Sequence, residues 1–138
     1  MNQTAIFWPM LAQVLLVFIV YGVLMTRRGR AVRSRAAKID QFKDRSAEPV
    51  GSTAAANNLA NQYELPVLFY AACLALYATS GVSYWTLVLA WIFTLSRYVH
   101  AFVHLTFNVV PYRTAAFAFG VMAVLLMWIS FALNLLRA

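Results

Sequence analysis

Four mostly apolar stretches, each long enough for a bilayer-crossing helix, are separated by one long polar segment and two short breaks. The first runs over about 6–25 and stops at Thr26-Arg27-Arg28, the second covers 54–79, the third 84–107 and the fourth 111–136. Ser80-Gly81-Val82-Ser83 reads as a tight uncharged turn, and Asn108-Val109-Val110-Pro111 as a second short break. Pro111 suits the first turn of a helix, where no amide hydrogen is needed. Short connections make neighbouring helices antiparallel. The expected fold is therefore all-α, an integral-membrane up-down four-helix bundle forming a single domain over 1–138.

Composition removes the alternatives. With 63% hydrophobic and only 11% charged residues, against roughly 25% charged in a soluble domain, a soluble enzyme is excluded. Eight of the eleven cations lie between Arg27 and Arg45. Bracketed by apolar stretches, this segment (26–53) reads as a cytoplasmic loop rather than a nucleic-acid surface. Both termini and the 80–83 turn then face the other side, Arg113 lies on the cytoplasmic side, and only Arg137 is left outside. No cation precedes the first stretch, so it reads as a retained anchor rather than a cleaved signal. The one cysteine, Cys73, has no disulfide partner and is assigned to packing.

Within the loop, Val32, Ala36, Ile39 and Phe42 recur at helical spacing, with Arg33, Arg35, Lys38, Lys43 and Arg45 mostly off the stripe. An amphipathic surface helix and a solvated linker are both compatible with this pattern. Asp40, Asp44 and Glu48 favour local pairing, and Glu48-Pro49-Val50-Gly51-Ser52 breaks any helix before the second span.

Polar groups inside the spans carry the functional information, because an ionisable side chain in a bilayer is costly unless paired. Asn57, Asn61 and Glu64 share one face of the second span, and Arg97, His100 and His104 one face of the third; Arg113 and Thr114 open the fourth. At 1.5 Å per residue, Glu64 and Arg97 both lie roughly 15 Å from the cytoplasmic ends of their spans, where they can meet. The set outlines a polar funnel open to the cytoplasm. Pro66 should leave the Gln62 carbonyl without its helical partner and bend the second span. A Glu64–Arg97 ion pair that merely fixes helix register is the competing structural explanation. His100 and His104 have helical zinc-ligand spacing, but Glu64 is the only acidic residue near them, so no metal is expected. Transport of small solutes is disfavoured by the lack of an inverted repeat.

These motifs resemble a known family. Asn61-Gln62-Tyr63-Glu64-Leu65-Pro66 resembles the Asn-x-x-Glu signature in the second helix of the MAPEG family, the membrane-associated proteins in eicosanoid and glutathione metabolism. Ser96-Arg97-Tyr98-Val99-His100 is similar to the Arg-x-x-His stretch of its third helix, and Pro111-Tyr112-Arg113-Thr114 to its Pro-x-Arg entry to the fourth. The resemblance covers nearly the whole chain and implies a divergent bacterial-type member, a homotrimer in the inner membrane with sites between subunits near the cytoplasmic face. It further implies glutathione as the bound cofactor, with Asn61, Glu64, Arg97, His100 and Arg113 as the binding set by motif position and Arg113 and Thr114 as the candidates that activate the thiol; Asn57 and His104 join the binding set from their places on the same helix faces. Transfer to, or peroxide reduction of, a lipophilic small molecule would follow. The chain departs from the pattern where active relatives carry arginines before Asn61, since 54–60 reads Ala-Ala-Ala-Asn-Asn-Leu-Ala. His104 and Phe117 stand where tyrosines are common. A non-catalytic protein of the same fold, binding lipid or other membrane subunits, is the alternative that these departures imply.

Overall fold

The computed structural model describes residues 1–44 and 47–136. Among them the regular structure is entirely helical: α1 (Phe7–Arg33), α2 (Val50–Asn61), α3 (Leu65–Ala78), α4 (Tyr84–Leu105) and α5 (Val110–Leu135), with 3-10 turns at Gln3–Ile6 and Ile39–Lys43. Three segments are long and apolar enough to cross a membrane: Gln3–Arg33, Tyr84–Leu105 and Val110–Leu135. The protein is an integral membrane protein.

Each long helix buries a stripe and leaves the rest for lipid. In α1 the buried residues are Pro9, Gln13, Leu16, Val20 and Leu24, one face of a 3.6-residue repeat. Phe69 stacks on Phe93 with ring centroids 4.2 Å apart, inside a cluster that includes Cys73, Leu76, Ala123 and Met127. A Cβ at Gly120 would come within 2.8 Å of Ser96 Oγ, so the α4–α5 seam requires a glycine there. Ser83 caps α4 reciprocally with Thr86: the Ser83 hydroxyl accepts from the Thr86 amide and the Thr86 hydroxyl from the Ser83 amide. At one end of the molecule the Gln3 side chain both donates to and accepts from the Val82 backbone, and Asn134 donates to the Thr79 hydroxyl. At the other end Arg27 donates to the Leu105 carbonyl at 2.6 Å.

Two expectations are corrected, and an open choice is decided. The second stretch is two helices, not one bent span over 54–79. It begins earlier, at Val50, because Pro49 sits at the cap and its carbonyl accepts from the Ser52 and Thr53 hydroxyls. Pro66, whose fixed φ and missing amide hydrogen suit a first turn, starts α3 instead of kinking a continuous helix, so α2 stops at Asn61 and residues 62–64 are the joint. Of the two readings left open for the loop, a continuous amphipathic helix is not formed among the described residues. α1 runs on to Arg33, Arg35 turns left-handed at φ 58°, and only the short turn Ile39–Lys43 follows. Arg45 and Arg137, both used in the charge argument, lie outside the described residues.

Candidate functional site

The joint between α2 and α3 shapes the site. Where α2 ends, the Gln62 and Tyr63 amides close tight turns onto Leu59 and Ala60. The Asn61 carbonyl is left to the Arg97 guanidinium, which donates to it at 3.2 Å through Nη2. Arg97 is fully buried, with its Cζ 5.5 Å from the Phe117 ring centre, while Nε and Nη1 have no hydrogen-bond partner. The expected ion pair with Glu64 is absent: among the described residues the ion pairs are Arg28–Glu48 and Lys43–Asp40. The break explains this, since Glu64 stands at the backbone cap position of α3 with non-helical torsions (φ −98°, ψ −100°) and its side chain is exposed.

Seven of the eight residues singled out from the sequence come together around one cleft of about 510 Å³. Asn57 and Asn61 enter from α2, Glu64 from the joint, His100 and His104 from α4, and Arg113 and Thr114 from the first turn of α5, with Ala60 and Phe117 as apolar wall. The eighth, Arg97, stands behind that wall.

The two histidines are not equivalent. His100 Nδ1 lies 3.1 Å from the Arg113 carbonyl, which can only accept, so Nδ1 carries the hydrogen. Nε2 is then the acceptor facing the Asn61 amide at 3.5 Å. His100 thus ties α4 to both α2 and α5 and has little capacity left for a ligand. His104 is also buried, its ring 5.8 Å from that of His100 and edge-on to it, and its Nδ1 has no partner. Arg113 is half-buried and donates to Asn108 Oδ1 at 2.9 Å; Asn108 itself is left-handed at φ 47°. That bond ties the Arg113 side chain to the α4–α5 connection, and the next residue, Thr114, is exposed.

Behind the cleft lies a buried amide chain that sequence reading did not assemble. Gln13 donates to Gln62 at 2.9 Å, Gln62 to Asn58 at 2.9 Å, and Asn58 to the Ala101 carbonyl at 3.1 Å. It joins α1, the joint, α2 and α4. Gln13 could have been found: it is the only amide inside the first span and falls on the same face as Leu16 and Val20.

Comparison with known proteins matches the MAPEG family model to residues 5–133. No curated protein and no solved structure matches the chain.

Proposed function

The chain belongs to the MAPEG family, and from that membership and the cleft we propose that it is a thiol-binding membrane enzyme of glutathione-transferase or peroxidase type, acting on lipophilic substrates. The observation that carries this reading is the meeting, in one cleft, of an exposed carboxylate, a loop-anchored guanidinium and an adjacent hydroxyl. The lining fits a small zwitterionic thiol. Glu64, whose side chain makes no capping hydrogen bond and no ion pair, suits an ammonium group; Arg113 suits an anion; the buried and unpartnered His104 Nδ1 marks polar capacity that the protein alone does not use. Glutathione, when bound, supplies the nucleophilic sulfur. Arg113 would hold negative charge on that sulfur, Thr114 would donate its hydroxyl to it, and Asn57 would orient the peptide. Asn61 and His100 act at one remove, by fixing the walls. Arg97 belongs to the same group of supporting residues.

In this reading the helices run up and down, counting α2 and α3 together as the second of four spans, with both termini non-cytoplasmic and the basic loop cytoplasmic in a bacterial inner membrane. The bonds from Gln3 to Val82 and from Arg27 to Leu105 support that arrangement. The exposed face of the cleft would be closed by a neighbouring copy in a homotrimer.

A second reading is favoured by one feature: among the described residues Arg113 is the only Lys or Arg lining the cleft, with Ala60 and Phe117 as its apolar wall. A non-catalytic protein holding lipid, or a subunit of a larger membrane assembly, needs no more. Turnover decides between them. Purified protein in lipid nanodiscs should conjugate glutathione to an aryl halide or reduce a lipid hydroperoxide, and Arg113→Ala should lose about 100-fold in rate. Absence of turnover with either acceptor, together with stable co-purifying subunits, would support the second reading.

A further inference from the structure

A second, more enclosed cavity of about 420 Å³ lies on the other side of α2, between that helix, α1 and the Ile39–Lys43 turn. Asn57 and Ala60 line both cavities, so a single turn of α2 separates them. The second cavity is amphipathic along one direction. Leu24, Met25 and Leu59 supply apolar wall toward the bilayer, and Arg28 and Lys43 bring charge at the opposite end. From Arg28 to Tyr21 the wall of α1 rises about 10 Å, and at its far end the Tyr21 and Tyr63 hydroxyls pair at 2.9 Å.

The charges are unequal. Two cations line the cavity against one carboxylate, Glu48. Arg28 is committed: it meets Glu48 through two nitrogens, at 3.0 and 2.6 Å, and its Cζ stands 5.0 Å from the Phe42 ring centre. Lys43 is not committed in the same way, since its pairing with Asp40 lies in solvent, with both side chains 79% exposed. Such a pair contributes little and exchanges readily. The cation at the headgroup end of the apolar slot is therefore held only by a solvent-exposed, exchangeable partner.

We infer that this cavity is a binding site for a single-chain anionic amphiphile, its carboxylate or phosphate at Lys43 and its chain running between α1 and α2 toward Tyr21. The volume falls in the range of small-ligand sites and is too narrow for a two-chain phospholipid. In the orientation proposed above, the polarity follows the bilayer normal, so such a molecule would enter from the membrane without inverting. An occupant would hold α1 against α2 and stiffen the wall that the two cavities share.

The test uses delipidated full-length protein in phosphatidylcholine nanodiscs, titrated separately with oleate, oleoyl-lysophosphatidate, oleoyl-lysophosphatidylcholine and monoolein. Binding is read by displacement of a fluorescent fatty acid and by native mass spectrometry. Saturable binding of one oleate or lysophosphatidate per chain is expected, with monoolein and the zwitterionic lipid at least about tenfold weaker. Preference between the first two identifies the headgroup chemistry. Ala56→Phe, which fills the slot from α2, should weaken oleate about tenfold or more. Lys43→Glu, on an exposed side chain that cannot endanger the fold, should remove the preference for anions. Equal binding of all four lipids to wild type, or wild-type affinity for oleate in Lys43→Glu and Ala56→Phe alike, would overturn the assignment.

Discussion

Arg97 donates to the Asn61 carbonyl at 3.2 Å, and Glu64, three residues further on, does not neutralise it. A backbone acceptor freed by the break in the second span, not a carboxylate, holds the buried guanidinium. This separates the support behind the cleft from the groups that face it. Glu64→Gln should therefore change thermal stability by less than about 1 kcal/mol, as for an exposed group. A double-mutant cycle with Arg97→Gln should show coupling below about 1 kcal/mol; a buried pair would give more. Thermal unfolding in mild detergent measures both.

The amide chain predicts a larger cost at a residue remote from any ligand. Gln62→Leu removes the acceptor for Gln13 and the donor to Asn58, leaving two buried groups unpaired. A loss of about 1–3 kcal/mol is expected, seen as a lower melting temperature. Because this joint positions Asn61 and Glu64, ligand affinity should fall as well. Wild-type stability would show that water replaces the chain.

Glu48 carries a pH dependence. The hydrogen bond from Arg28 is the main cause that holds its carboxyl below the ordinary value, against the opposing effect of burial. A depressed folded value means that the stabilisation is complete above the unfolded value, about 4.3, and is lost as pH falls through the folded one. Residues 34–44 should resist protease at pH 7 and become sensitive in acid. Glu48→Gln should be sensitive throughout and lack the acid transition. Parallel pH profiles for the two proteins would exclude the Arg28–Glu48 pair as the cause.

At the α4–α5 seam, Gly120→Ala places a methyl group 2.8 Å from Ser96 Oγ. Overpacking of this kind costs about 1–3 kcal/mol. Adding Ser96→Ala removes the clashing oxygen, along with its bond to the Phe93 carbonyl. The double variant should melt above Gly120→Ala alone.

The sequence exposes the helical stretches well, because the apolar runs that end at Arg27 and at Asn108 are unmistakable in length and charge. It also outlines most of the cleft: helical spacing puts Asn57 and Asn61 on one face of α2 and His100 and His104 on one face of α4, whereas Glu64 reaches the cleft from the joint. What it misses depends on local backbone chemistry. Pro66 is compatible with either a kink or a new start, and the difference decides where Glu64 points. Arg97 has two possible acceptors, a carboxylate and a freed carbonyl, and only the geometry of the joint chooses. His100 and His104 look alike as letters, yet the Arg113 carbonyl occupies one and leaves the other open.

Arg113 and Thr114 are the positions at which function should fail without loss of fold. Arg113→Ala should leave melting nearly unchanged, since its side-chain bond to Asn108 is exposed, while Thr114→Val should lower turnover with little effect on glutathione affinity. If Thr114→Val instead weakens binding and turnover in equal proportion, the hydroxyl contributes to affinity and not to activation.

The central claim is that the cleft binds a thiol peptide, and equilibrium dialysis of labelled glutathione against purified protein in nanodiscs tests it most directly. Saturable binding at or below millimolar concentration, weakened at least about tenfold by Arg113→Ala and by Glu64→Gln, is the predicted result. No binding at millimolar glutathione, or binding that both variants leave unchanged, would contradict it.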